Sequence, residues 1–275
     1  MNRYQNQLII FSKNRACQLN LLLDSMKLNA GLLFDKINIL YKSDNSEYDN
    51  GYLKVIDNYK SVNFLKEVDF RNDLIKLIDD NIEATTLMVD DAVMFKQVLA
   101  RKIDIIESVV EDSVIFSLRL GENCNYSHPA DLNYTLGEYN VDGEYITFDY
   151  TKQQIGDFKY PLSTDGHIYN TMLLKDMLIE IPFVNPNTLE ANLQKFVSIN
   201  YIPTKMKCFR ESKLVSIPVN LVNDTFRNRH GLEFGISEKE LNDKFLNDES
   251  IDLKAMDFSG INGPHKEIKY KFKIN

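Results

Sequence analysis

Tryptophan is absent from the 275 residues, and cysteine occurs three times, at Cys17, Cys124 and Cys208. These cysteines are far apart, odd in number and in no metal-ligand spacing. They read as free thiols of a reducing compartment. No run of about 20 apolar residues occurs, which excludes a membrane-spanning helix. Residues Met1 to Gln7 are polar and lack the apolar stretch of a signal peptide. Both absences point to the cytoplasm, with peripheral work at the inner membrane face left open. Basic charge is short as well: 32 Lys and Arg face 40 Asp and Glu, for a net charge of −8. A general nucleic-acid role needs an electropositive face and is not expected. Internal repeats and low-complexity linkers are also missing, so residues 1–275 read as one unit with two halves, 1–112 and 113–275.

The apolar content of 44% is enough for a sizeable core. Strand-like runs at Leu8–Phe11, Ile37–Tyr41, Val62–Leu65 and up to Asp90 alternate with helical spacings. Those helices carry Ala16 to Met26, Tyr52 to Tyr59 and Phe70 to Ile82. The alternation implies an α/β fold, with a mostly parallel sheet and right-handed crossovers. Farther on, the pattern predicts a helix over 95–111, interrupted near Arg101-Lys102, and a strand over 113–120. Residues 121–160 are rich in Asn, Tyr, Asp and Gly and read as an insertion with short strands. A helix through Ile168 and Met177, another capped by Asn187 or Thr188, and a strand over 215–219 follow. A short helix over 238–246 and an alternating strand over 267–274 complete the pattern.

The sharpest signal is Thr85-Thr86-Leu87-Met88-Val89-Asp90-Asp91, a core-like strand that stops on two acids. Buried acids are costly unless paired, hydrogen-bonded or bound to metal. Ligands of open α/β sheets bind outside the carboxyl ends of the strands. The segments there are Ser12-Lys13-Asn14-Arg15, Tyr41-Lys42-Ser43-Asp44 and Asp90-Asp91, which are expected to face one crevice. Basic and hydrogen-bonding groups would meet paired acids there, as a nucleoside diphosphate and its metal require. Magnesium and manganese take one or two carboxylates, with water and substrate phosphate completing the shell. Asp91 is the favoured ligand, with Asp90 contacting sugar or ribose; a solvated strand-end turn is the plainer alternative.

Leu87-Met88-Val89-Asp90-Asp91-Ala92-Val93-Met94-Phe95 resembles the acidic metal motif of the GT-A glycosyltransferases, with Val89 where the usual pattern has its first acid. Phe11-Ser12-Lys13-Asn14-Arg15-Ala16-Cys17-Gln18-Leu19 resembles the nucleotide-binding start of those enzymes. By that analogy Ser12, Lys13 and Arg15 lie near base and diphosphate. Asn185-Pro186-Asn187-Thr188-Leu189-Glu190 resembles the Glu-Asp motif of the inverting members, which places Glu190 at the catalytic base. In a first helical turn the dipole would stabilise that carboxylate; completing a capping box is the alternative. Such enzymes often bring a C-terminal His to the metal, and His265, on a turn after Asn262-Gly263-Pro264, is the best placed of four histidines.

Asp165, beside His167 in Ser163-Thr164-Asp165-Gly166-His167, reads as a helix cap, a partner of sugar hydroxyls or the base itself. Lys269, Lys271 and Lys273 share one face of the tail and would meet diphosphate, anionic lipid or only water. The crowded tyrosines of 126–150 suit sugar stacking and ordinary half-buried positions alike. The resemblance implies a three-layer α/β/α GT-A domain dependent on Mn2+ or Mg2+. It would pass a sugar from a nucleotide-sugar donor, UDP-linked first, to a glycan or lipid-linked glycan in polysaccharide synthesis, with inversion. Two rivals stand beside it. A sugar nucleotidyltransferase would need a Gly-rich loop after the first strand, and Ser12-Lys13-Asn14-Arg15 has no glycine. A non-catalytic carbohydrate or nucleotide module fits Val89 and Leu189 standing where relatives carry acids.

Overall fold

The computed structural model describes residues 4–199, 202–222, 225 and 229–274. The first half runs β1 (Asn6–Lys13), α1 (Ala16–Asn29), β2 (Lys36–Lys42), α2 (Ser46–Asn58), β3 (Asn63–Lys66), α3 (Phe70–Leu77), β4 (Ala84–Val89), β5 (Ala92–Met94) and α4 (Lys102–Val110). Short strands follow: β6 (Ile115–Ser117), β7 (Tyr126–Ser127), β8 (Leu132–Asn133), β9 (Asn140–Asp142) and β10 (Tyr145–Asp149). Then come β11 (His167–Asn170), α5 (Thr171–Glu180), α6 (Pro186–Ile199), β12 (Lys205–Phe209), β13 (Leu214–Ser216), α7 (Glu238–Leu246), β14 (Glu249–Ile251) and β15 (Phe272–Ile274).

The main sheet has the order β3-β2-β1-β4-β11-β6-β12-β10-β9. Pairs β1–β2, β2–β3 and β1–β4 are parallel, as the strand–helix alternation requires. β11 enters antiparallel to both β4 and β6, and β12 is parallel again to β6. Both halves of the chain thus supply one sheet. Successive residues of β1 go to opposite faces: Leu8 and Ile10 pack in one core with residues of α1, α2, α4 and α7. Ile9 and Phe11 pack in the other with residues of α3, α5 and α6. This two-sided burial, the reason for the continuous apolar runs, makes the α/β/α layering.

Several elements differ from the sequence reading. The helix expected over 95–111 begins at Lys102, and Ala92–Met94 form β5 against β13. A strand partner so distant in sequence leaves no local periodicity to read. Ile168 lies in β11, and the helix after it starts at Thr171, capped by Asn170, whose side chain accepts from Met172 N and Leu173 N. α3 stops at Leu77, and β13 covers 214–216 in place of 215–219. β12 and β14 had no sequence signal that was recognised. In the tail only Phe272–Ile274 pair, with β14. Its alternation is nonetheless real: Ile268 and Tyr270 are buried, while Lys269, Lys271 and Lys273 are exposed. The short strands expected within 121–160 are β7 to β10.

Candidate active site

A cavity of about 610 Å3 opens beyond the carboxyl ends of β1, β2 and β4. Its size falls within the range of about 300–1,000 Å3 common for ligand sites. Ser12, Lys13, Arg15, Asp90, Asp91, Asp165, Glu190 and His265 all line it. Asp44 is not among the lining residues. It pairs with Lys13 at 3.2 Å and exchanges hydrogen bonds with Asn14, which donates Nδ2 to Asp44 Oδ2 at 2.8 Å and accepts from Asp44 N at 2.9 Å. Asn14 sits at φ +56°, a left-handed conformation that asparagine tolerates. Asp44 thereby sets the shape of the turn after β1.

The two neighbouring acids have different surroundings. Asp90 is buried and accepts from Ser12 Oγ at 2.8 Å, Lys13 N at 3.1 Å and Arg15 Nη1 at 3.1 Å. Ser12 Oγ also meets the buried Tyr52 hydroxyl at 2.7 Å, and that hydroxyl accepts from Arg15 N at 3.2 Å. Asp91 receives Arg15 Nη1 on Oδ2 at 3.1 Å, and among the described residues no hydrogen bond reaches its Oδ1. Burial pushes the Asp91 carboxyl up to about 7; Arg15 opposes the shift, while Asp90 and Asp165 add to it.

Arg15 is spent within the protein. Besides the two acids, its Nε donates to Asn220 Oδ1 at 2.8 Å and its Nη2 to the Asn220 carbonyl at 2.6 Å. The sequence reading put Arg15 near diphosphate; its donors face Asp90, Asp91 and Asn220, and it braces the acids. Replacing Arg15 with Leu would strand Asp90 without its buried counter-charge, at a cost of about 3–5 kcal/mol. Urea denaturation at pH 7.5 checks this. The loss is expected to shrink toward pH 4, where protonated acids no longer need the cation.

Asp165 does not cap a helix, because β11 intervenes and Asn170 holds that position. The acid lines the cavity, where Ser216 Oγ donates to it and Arg119 Nη1 pairs with it at 3.1 Å. Its Oδ1 is buried without a hydrogen-bond partner among the described residues. Gly166 turns the chain at φ +80°, and a Cβ there would meet Leu214 Cδ2 at 2.2 Å. His167 points elsewhere: its Nδ1 meets the Pro161 carbonyl, and burial draws its pKa down to about 3.

Glu190 is one turn deeper in α6 than expected. Asn185 is the cap: its Oδ1 accepts from Thr188 N, while Thr188 Oγ1 accepts from Asn185 N. Pro186 takes the first helical position, where its missing N–H costs nothing. The capping role is therefore filled without Glu190, and no acid stands in the first turn. Glu190 Oε2 instead accepts from Thr164 N at 2.6 Å, Thr164 Oγ1 at 2.9 Å and Ser163 Oγ at 3.2 Å.

His265 stands 3.9 Å from Asp165, held by a bridge between its backbone and Ser216. Arg119 Nη2 lies 3.1 Å from its Nδ1 and 3.3 Å from its Nε2. Burial, with Arg119 and His128 adding to the effect, lowers its pKa well below the usual value, so the ring is neutral. Asp91 is the acid that could hold a metal: it is half-buried at the cavity, and Arg15 engages only one of its oxygens. The oxygen donors suit magnesium and manganese. His265 faces a guanidinium, which competes with a metal for its ring nitrogens. Among the described residues no three His, Cys, Asp or Glu side chains form a ready cation cage.

Arg119, Ser163, Thr164 and Asn220 were missed by the sequence reading. Arg119 left one trace, a charge inside the apolar run Phe116-Ser117-Leu118-Arg119-Leu120.

No family model matches the chain. Among curated proteins it is similar to the bifunctional glycosyltransferase pgtA of Dictyostelium discoideum, with 26% identity over 180 residues. That alignment covers 59% of this chain and 23% of the relative, so the chain matches less than a quarter of that protein's length. Among solved structures, S. aureus TarS 1-349 aligns at a TM-score of 0.48 with 12% identity, over 77% of this chain and 60% of that one. Its complex with UDP-GlcNAc aligns at 0.46 with 13% identity, over 85% and 62%. The resemblance to glycosyltransferases read from the motifs is thus the one that the curated comparison returns.

Proposed function

We propose that the chain is a metal-dependent glycosyltransferase that uses a nucleotide-sugar donor, UDP-linked in the first instance, and a glycan or lipid-linked glycan acceptor. The observation that carries this is the convergence of Asp90, Asp91, Asp165 and Glu190, from three separate stretches of sequence, on one cavity at the carboxyl ends of the strands. The curated relative's activity supports the same reading. Phe11, Leu40 and Phe70 give the cavity apolar lining, and the Lys42–Glu67 pair lines it too, which suits a nucleobase. Lys13 also lines the cavity and suits the diphosphate.

A Mn2+ or Mg2+ held by Asp91 would neutralise charge developing on the leaving diphosphate. The acceptor hydroxyl attacks the anomeric carbon, its proton passes to Glu190, and the bond from that carbon to the phosphate oxygen breaks. Glu190 suits the base role because it is half-buried at the cavity wall, where an acceptor arrives after the donor. Asp165, lining the cavity and paired with Arg119, suits the donor sugar's hydroxyls. Direct displacement of this kind inverts the anomeric centre.

No helix among the described residues is long and apolar enough to cross a membrane. We place the chain in the cytoplasm, peripheral at the inner face when its acceptor is lipid-linked, in polysaccharide or glycoconjugate synthesis. The test is release of UDP from a panel of UDP-sugars with acceptor glycans, with manganese and with EDTA. Manganese-stimulated release is expected. Binding of UDP without consumption of any donor would instead assign a binding module.

A further inference from the structure

Arg119 lies between the two candidate acids that differ most in their proposed roles. The side chain is buried and touches two separate segments, 163–165 and the turn at His265. Its Nη1 donates to Ser163 Oγ at 2.7 Å and pairs with Asp165 Oδ2 at 3.1 Å, while Nη2 faces His265. Ser163 Oγ has one proton and passes it on, donating to Glu190 Oε2 at 3.2 Å. The same oxygen accepts from Asp165 N at 3.2 Å. The hydroxyl is thus directional: with two donors pointed at its lone pairs, its own proton is left for Glu190. Ser163 is itself fixed by its carbonyl, which accepts from the buried Tyr169 hydroxyl at 2.5 Å. From Asp165 to Glu190 the links are a buried ion pair to Arg119, a buried hydrogen bond from Arg119 to Ser163 and a half-buried hydroxyl bond to Glu190, and low local polarity strengthens such contacts.

We propose that Arg119 and Ser163 form a strut that aims the Glu190 carboxylate at the acceptor hydroxyl, so that both are positioning residues for the transfer step. The proposal rests on the glycosyltransferase reading of the site. Arg119 holds Asp165 with one edge of its fork and orients Ser163 with the same nitrogen, so a donor sugar resting on Asp165 and a base acting on the acceptor share one rigid reference. Thr164 supplies two further bonds to Glu190, so the carboxylate stays bound without the strut but loses its aim.

The test is a double-mutant cycle with UDP-sugar turnover and donor affinity measured on folded protein. Ser163→Ala is expected to lower kcat about 10–50-fold while donor KM and affinity stay within twofold, a split that marks an interaction made in the transition state. On a Glu190→Gln background the same change is expected to cost less than about twofold, because residues acting as a unit are not additive. Arg119→Lys keeps the charge but loses the fork; it is expected to lower kcat as Ser163→Ala does and, because Arg119 also holds Asp165, to raise donor KM as well. Equal losses on both backgrounds, or a loss confined to donor affinity, would overturn the strut while leaving the glycosyltransferase reading intact. If the unaltered chain turns over no donor in the panel, that reading fails and the strut with it.

Discussion

Replacing Asp91 with Asn is expected to abolish manganese-dependent nucleotide binding. The substitution keeps the shape of the side chain and removes its charge. Arg15 engages one oxygen of Asp91, while desolvation, with Asp90 and Asp165 adding to it, pushes its carboxyl up to about 7. Three acids beside one cavity leave a local negative excess that an added cation relieves. Loss of the groups that support a metal ligand costs about 10–100-fold in metal affinity, so loss of the ligand itself is expected to cost at least that. Calorimetry of UDP binding with manganese and with EDTA checks it: equal affinities for wild type and variant in both media would remove Asp91 from the metal's shell. The raised carboxyl also has a signature in stability. Below about pH 4 it is neutral in both folded and unfolded chains; toward pH 7 the unfolded chain ionises first, so stability is lost across that window. The Asn variant lacks this loss. Its melting temperature relative to wild type, without metal, is therefore expected to rise between about pH 4 and pH 7.

The parallel first part of the fold was legible because β1, β2 and β4 carry buried apolar residues on both faces, and α2 and α3 keep an amphipathic stripe. β1, β2, β3 and β4 all lie where their apolar runs stand. What escaped was non-local. β5 exists because β13 pairs with it, and β11 is a strand because β4 and β6 flank it. His167-Ile168-Tyr169-Asn170 is too short to outweigh the helical spacing that follows. Asn170 was the missed punctuation, a cap that places the helix start after the strand.

The candidate site was legible by residue type and much less by role. Asp90 and Asp91 broke an apolar run, and Glu190 and Asp165 stood near helix signals, so all four were singled out. Their partners were not, since Arg119, Ser163 and Asn220 come from elements whose proximity only the folded chain reveals. Partners decide role. Asp90 and Asp91 are adjacent in sequence, yet one is saturated by Ser12, Lys13 and Arg15 and the other is held on one side only. Arg15 was placed near the diphosphate and is the counter-charge of both acids.

Glu190→Gln is expected to cut kcat by at least about 100-fold, within the range for loss of a general base, with donor affinity unchanged. Glutamine is close in shape, and its amide oxygen still accepts from Thr164 N and Oγ1 in place of Oε2. The helix start is unaffected, since Asn185 and Thr188 cap it between themselves. What disappears is a site able to take the acceptor's proton. Asp165→Asn provides the contrast. That acid pairs with Arg119 in a buried setting, so neutralising it leaves a guanidinium without its counter-charge and is expected to lower stability as well as turnover. Steady-state kinetics of both variants, read beside their melting curves, separate the roles. A kcat loss without a stability loss at position 190 assigns the base there. Near-normal turnover of Glu190→Gln would move the base to Asp165 or make the reaction retaining, which the anomeric configuration of the product, read by NMR, decides.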